Sequence, residues 1–266
     1  MHPIERLRFV ARSSGVPAQV LVHETALALR SFRGDHAGLV AACRRVLERQ
    51  PLHAPLWWLC ARMLCALEPA AEAVAVLEEV EADATAQHLA AALPDSATVV
   101  LVGGGGHPLD ALRRRGDLEV LVVDTGPGSL AVADRLAAAD IDAVEVPAAN
   151  VGAALRGAAA VLVGAFAAGP SELLAPAGSM PAAAAARQLG VPVWLVTGVG
   201  RFLPAPMFDG LVQRWSAGVD ELDAEEELVP LDLVDRVAGP GGVTSVEEAL
   251  RTTDCPTAYE LLGPTG

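Results

Sequence analysis

The residues best suited to meet a ligand lie where apolar runs break off. Ala97–Pro108 reads ATVVLVGGGGHP: a β-branched and aliphatic run ends in Gly103, Gly104, Gly105 and Gly106, then His107 and a helix-compatible stretch over Leu109–Arg115. Backbone amides at the start of a helix form an anion cradle, and glycines let the chain approach a phosphate closely. The same glycines also permit tight strand-to-helix packing with no ligand. Later apolar runs end in Asp124-Thr125-Gly126, in Gly164-Ala165-Phe166 and in the segment from Thr197 to Arg201-Phe202, while Gly178-Ser179 precede a further helical stretch. Such strand ends are where open α/β sheets bind ligands. His107 is either a substrate contact or a polar loop residue before Pro108. Ser129 and Ser179 read as helix caps, with an anion contact as the other role open to Ser179.

What is missing narrows the chemistry further. All nineteen basic residues are arginine, which removes Schiff-base catalysis, a Walker-type phosphate lysine and a Ser–Lys dyad. No GxSxG elbow and no HExxH or HxxxH spacing occurs, so hydrolase and metal chemistry have no motif to rest on, and no cofactor is expected. His2, His23, His36, His53 and His88 are scattered through helical sequence and read as structural. Cys43, Cys60, Cys65 and Cys255 show no CxxC spacing and predict buried, reduced thiols. The net charge of −14 lies mostly in the tail, where residues 216–266 carry two arginines against twelve acids. That field disfavours nucleic acid and anionic membranes. Mean hydropathy is +0.39, yet no apolar run reaches the roughly 18 residues of a membrane span, and MHPIERLRFVAR has charges where a signal peptide is apolar. The expectation is a soluble, cytoplasmic protein.

These residues need elements to hold them. Residues 1–93 read as helices only, with apolar spacing through Val20–Phe32, Leu39–Leu47, Leu56–Leu67 and Ala71–Val80 and helix starts at Asp35 and Glu68-Pro69. Trp57 and Trp58 cannot share one helix face, so one is expected in the core and the other at a domain or subunit contact. After Pro94, short apolar runs at Ala97–Val102, Leu118–Asp124, Ile141–Val146, Ala159–Gly164 and Pro192–Thr197 alternate with helical stretches. Continuous rather than alternating apolar strands imply burial on both faces. The predicted fold is α/β, a doubly wound Rossmann-like parallel sheet over 94–266 preceded by an all-helical domain over 1–93. Arg113-Arg114-Arg115 reads as a solvated helix end, Asp220–Glu227 as a solvated loop, and the chain beyond LVPLDLVDRV as a loosely structured acidic end.

In this order VVLVGGGGHPLDAL, VLVVDTGPGSLAVADRLAAADIDAVEV, GSMPAAAAARQLGVPVWLVTGVGRF and ELVPLDLVDRV resemble the regulatory subunits of translation initiation factor 2B and the related ribose-1,5-bisphosphate and 5-methylthioribose-1-phosphate isomerases. The likeness covers roughly residues 95–240; a weaker one at Ser14-Gly15-Val16-Pro17-Ala18 matches the family's Arg-Gly-Ala-Pro-Ala turn. The family's isomerases use a cysteine after the first sheet strand and an aspartate in a Gly-Ala-Asp sequence. Here those places hold Gly103–Gly106 and Gly164-Ala165-Phe166. The Glu-Ser-Arg-Pro turn reads Asp124-Thr125-Gly126-Pro127, the Asn-Lys-x-Gly-Thr motif reads Ala175-Pro176-Ala177-Gly178-Ser179, and the later lysine is Arg201. Loss of a reacting carboxyl typically costs on the order of a hundredfold or more in rate, and both reacting groups are absent.

Three functional readings follow. The first is a noncatalytic regulator that binds a sugar phosphate or nucleotide through Gly103–His107, Asp124, Thr125, Gly164, Phe166, Gly178, Ser179, Arg201 and Gly15. The second is an assembly protein, a homodimer through the α/β domain as the resemblance implies. The third is an isomerase rebuilt around His107 or Asp124.

Overall fold

The computed structural model describes residues 2–13, 15–103, 105–220 and 222–263, with the backbone alone of 127–130. The helices are α1 (Pro3–Arg12), α2 (Ala18–Leu29), α3 (His36–Arg49), α4 (Ala54–Cys65), α5 (Pro69–Glu81) and α6 (Thr85–Ala92) before the first strand. There follow β1 (Thr98–Val102), α7 (His107–Leu112), β2 (Glu119–Val123), α8 (Pro127–Ala137), β3 (Asp142–Val146), α9 (Val151–Ala154), β4 (Ala160–Gly164), β5 (Ala167–Ala168) and β6 (Glu172–Pro176). The chain ends with α10 (Ser179–Leu189), β7 (Val193–Val196), α11 (Ala205–Ser216), β8 (Glu226–Pro230), β9 (Arg236–Gly239), β10 (Gly242–Thr244) and α12 (Val246–Arg251).

Two compact units form, one of Met1–Asp83, Val199–Val219 and Thr253–Gly266, the other of Ala84–Gly198 and Asp220–Thr252. The sequence division at 93/94 follows a change of texture; by packing, α6 joins the sheet, where His88 Nδ1 lies 3.2 Å from the Gly239 carbonyl oxygen. By the same measure α11 and the chain end group with the first helices.

The helical unit is organised around α4, whose residues from Ala54 to Met63 are all buried except Arg62. A helix apolar on every side is a buried helix, and here both tryptophans are fully enclosed. This corrects the expectation that one of them faces a contact. Trp57 Nε1 donates to the Pro51 carbonyl at 2.9 Å and Trp58 Nε1 to Asp254 Oδ1 at 3.1 Å. Arg214 stacks over Trp57 and Arg62 over Trp58, at 4.6 and 5.1 Å. The end expected to be loose is ordered too: Arg44 and Arg214 donate to the Glu260 and Leu261 carbonyls, both at 2.7 Å, and Leu261 is buried. Asp35 caps α3 by accepting from Gly38 N–H at 2.8 Å, as its position predicts. Cys43, Cys60 and Cys255 are buried thiols; Cys65, at the end of α4, is exposed, against expectation.

The second unit holds a seven-stranded sheet ordered β10-β9-β7-β4-β1-β2-β3, parallel except for β10. β1, β4 and β7 occupy the middle and are buried along almost their whole length, which is why they read as unbroken apolar runs. Edge strand β3 is instead half exposed. The five predicted strands are all present, and Arg236–Gly239 adds a sixth parallel one beside β7. A second, antiparallel sheet of β5, β6 and β8 was not expected. It corrects the reading of Asp220–Glu227 as a loop throughout, because Glu226 and Glu227 open β8 and pair with Pro176 and Ala175.

Candidate functional site

β1 and β4 are neighbours, and from them the chain winds outward in opposite directions, through β2 and β3 on one side and β7 and β9 on the other. Their carboxyl ends therefore open a topological switch point, the place in such sheets where ligands bind. Gly103 and Gly105 to His107, which follow β1, and Gly164 to Phe166, at and beyond the end of β4, thus lie at this switch point. A Cβ built on Gly164 would lie 3.4 Å from Pro108 Cγ, so β4 ends against the first turn of α7.

The loop after β1 is uneven. Gly103 is buried at φ +74°, and a Cβ there would stand 2.4 Å from Pro176 Cγ and 3.1 Å from Pro176 Cβ. A proline ring cannot swing aside, so no side chain fits at 103. Gly104 lies outside the described residues. Gly105 and Gly106 are exposed with nothing within 4 Å of an added Cβ, and Gly106 takes φ +62° as the residue before α7. His107 is half-buried as the first residue of that six-residue helix.

Beyond β2, Asp124 is exposed and its Oδ1 accepts from Gly126 N–H at 3.0 Å, a side-chain turn that bends the chain into α8. Thr125 is half-buried, with its methyl 3.3 Å from where a Cβ on Gly178 would be. Gly178 sits at φ +92° between β6 and α10. Capping by Ser179 is corrected: it is the first residue of α10, fully buried, and its hydroxyl has no hydrogen-bond partner among the described residues. The next amide, Met180 N–H, donates instead to Glu227 Oε1 at 2.8 Å. A carboxylate of the chain thus sits where the helix dipole would hold an external anion. Ser129 falls among the residues whose side chains are not described.

Phe166 is half-buried and its N–H donates to the Leu174 carbonyl at 2.8 Å, which commits it to the entry of the small sheet. Arg201 and Gly15 belong to the helical unit rather than to the sheet that carries the other candidates. Burial pulls the Arg201 guanidinium down from its usual range, and nearby Asp83 opposes that shift. His53, in the same unit, is lowered by burial and then by Arg201, and its buried Nδ1 has no hydrogen-bond partner among the described residues. Gly15 lies at φ +68° in open space. Arg115 also departs from expectation. It donates to the Ala90 and Leu93 carbonyls at 2.7 and 2.8 Å and pairs with Asp117 at 2.7 Å, tying the end of α6 to the turn before β2.

Two residues that shape the crevice, Pro176 and Glu227, escaped the sequence reading. Their signal is the pair ELLAP and EELVP, two short Glu-to-Pro segments that align antiparallel as β6 and β8. β6 is the central strand of that sheet, but Pro176 lies beyond the two residues that pair with β5. Among the described residues no group of three or more His, Cys, Asp or Glu could hold a metal ion, and no helix is long and apolar enough to cross a membrane.

No family model matches the chain, and no curated protein sequence does. Solved structures do. Translation initiation factor eIF-2B from Pyrococcus horikoshii superposes with a TM-score of 0.74 at 16% identity, covering 93% of this chain and 98% of that one. The tetrameric eIF2B-beta2-delta2 complex from C. thermophilum gives 0.70 at 18% identity, covering 94% and 92%. The 5-methylthioribose 1-phosphate isomerase from Pyrococcus horikoshii gives 0.64 at 14% identity, covering 94% and 87%. The chain has the fold these proteins share, as its motifs imply.

Proposed function

We propose that this chain is a noncatalytic protein of the initiation factor 2B and sugar-phosphate isomerase fold that binds a phosphorylated sugar or nucleotide in a regulatory role. The observation that supports the noncatalytic half is the Pro176 ring over Gly103, the first residue of the glycine run that stands where the resemblance puts the isomerases' cysteine: at 103 neither a nucleophile nor an acid fits. Phe166, in place of the partner aspartate, supplies no proton to move between two sugar carbons. The binding half rests on Gly105 and Gly106, which remain open beside the start of α7 and offer backbone amides to an anion.

Calorimetry with a panel of pentose phosphates and nucleoside monophosphates tests this reading. Binding at micromolar to tens of micromolar is expected, together with at least a tenfold loss in Gly105→Asp, which adds a negative charge where space is free. Affinity no better than millimolar for the whole panel would remove the ligand. Turnover of ribose 1,5-bisphosphate or 5-methylthioribose 1-phosphate would overturn the noncatalytic assignment.

A second reading, an assembly protein with no ligand, is favoured by Glu227, which already occupies the start of α10. The tetrameric complex among the structural neighbours supports self-association of this fold. Micromolar dimers that bind none of the panel would select it.

A further inference from the structure

The helical unit carries a groove of about 700 Å³ between the α2–α3 turn and the α4–α5 turn. Its apolar lining includes Phe32, Leu39, Leu67 and Val74, and Leu67 is fully exposed. A leucine at the surface of a concave apolar lining marks a contact surface more than a solvated one. Arg30 and Arg33 stand in the same lining, and neither has an ion-pair partner among the described residues. Glu68 is the one acid facing them there. The groove thus pairs an apolar anchor point with two uncompensated positive charges, in a chain whose net charge is −14.

One segment of the sequence has the opposite makeup. Asp220, Leu222 and Asp223 are held together in a turn by Asp223 N–H donating to the Asp220 carbonyl at 3.0 Å and Leu222 N–H donating to Asp220 Oδ1 at 3.1 Å. It presents Leu222 at 94% exposure. Asp223 and Glu225 flank that leucine, are exposed, and have no ion-pair partner among the described residues. A preformed turn loses little conformational freedom on docking.

We propose that the groove receives the Leu222 turn of a second copy of this chain, Leu222 settling beside Leu67 and Val74 while Asp223 and Glu225 meet Arg30 and Arg33. Charge complementarity selects this occupant, because each surface holds the uncompensated charges that the other lacks. Every copy carries one groove and one turn.

Sedimentation velocity on the full chain from 1 to 100 µM tests it. Reversible association is expected, weakened at least tenfold by Leu222→Ser or Leu67→Ser, two exposed positions whose change leaves the melting temperature in place, and weakened by 0.5 M salt. A charge exchange makes the pairing specific. Chains with Arg30→Glu and Arg33→Glu, and chains with Asp223→Arg and Glu225→Arg, should each stay monomeric alone and associate when mixed. A monomer at 100 µM, association untouched by both serine variants, or no recovery on mixing overturns the proposal.

Discussion

The crevice beyond β1 and the groove between the helical turns are both concavities, and they differ in what the chain has put into them. In the sheet unit, Pro176 covers Gly103 and Glu227 takes the Met180 amide, so the crevice has been satisfied from within. In the helical unit, Leu67 stays exposed and Arg30 and Arg33 stay uncompensated. The first residue of the loop after β1 is closed to any side chain, and the helical unit keeps exposed apolar and charged surface. Fold similarity alone would have pointed only to the crevice, which is why function has to be argued from the site.

The sharpest way to break this contrast is to put a thiol at the closed end of the glycine run. Gly103→Cys places a Cβ 2.4 Å from a proline ring at φ +74°, combining backbone strain of about 1–3 kcal/mol with overpacking of about 1–3 kcal/mol. A loss of about 4 kcal/mol in urea unfolding is expected, without recovery of isomerase turnover. Gly105→Ala, two residues on and in open space, should change stability by about 0.5 kcal/mol or less. Equal tolerance at the two positions would mean that the crevice is not closed.

That contrast also marks how far the sequence could be read. β1, β4 and β7 were visible because burial on both faces demands unbroken apolar runs, and the helical spacing of residues 20–80 placed α2 to α5 within a few residues. The small sheet was hidden by its chemistry: Ala167–Ala168 is too short to read as a strand, and Glu226 and Glu227 are acidic residues in an acidic run. Pro176 and Glu227, which close the crevice, come from that sheet. Trp57 and Trp58 failed for a different reason. Helical periodicity tells which faces differ, and α4 is covered on every side by elements distant in sequence, including Asp254 and Arg214. Local spacing contains no trace of them.

Within the sheet unit, Arg115→Ala should have the next largest effect. It strips two carbonyls at the end of α6, Ala90 and Leu93, of a charged donor, and a loss of about 1–3 kcal/mol is expected. The same substitution should alter acid unfolding. Hydrogen bonds from Arg115, and then from Ser96 N–H, hold the Asp117 carboxyl well below the ordinary carboxylate range. Its contribution is present above the unfolded value near 3.8 and disappears as pH falls below it. Arg115→Ala should therefore show a shallower acid limb in a titration of melting temperature against pH. Glu227→Gln, smaller again, keeps an acceptor for Met180 N–H but removes the charge at the start of α10, for about 0.3–1 kcal/mol. Stability unchanged within error would mean that the carboxylate does not serve this helix, and the crevice would be more open than the coordinates of Glu227 imply.

The smallest expected effect tests the helical unit through Arg201, the charged one of its two candidates from the sequence. Burial and the adjacent guanidinium both lower His53, so the folded chain holds this imidazole neutral at pH values where the unfolded chain binds a proton. When the unfolded state binds more protons, stability rises with pH. The sign is thus opposite to that of a histidine gaining an acidic partner: His53 costs nothing above about pH 7.5 and costs progressively more as pH falls through the ordinary histidine value of 6.5. His53→Gln cannot titrate, so part of the stability lost by the parent between pH 7.5 and 5.5 should be missing from the variant, while the two agree in slope above pH 7.5. Removing the neighbouring charge with Arg201→Gln should make this loss smaller and end it at a higher pH, since the imidazole then protonates more readily in the folded state. If the slopes of His53→Gln and the parent coincide throughout, Arg201 and His53 do not share an electrostatic environment, and the cationic reading of this corner of the helical unit falls with them.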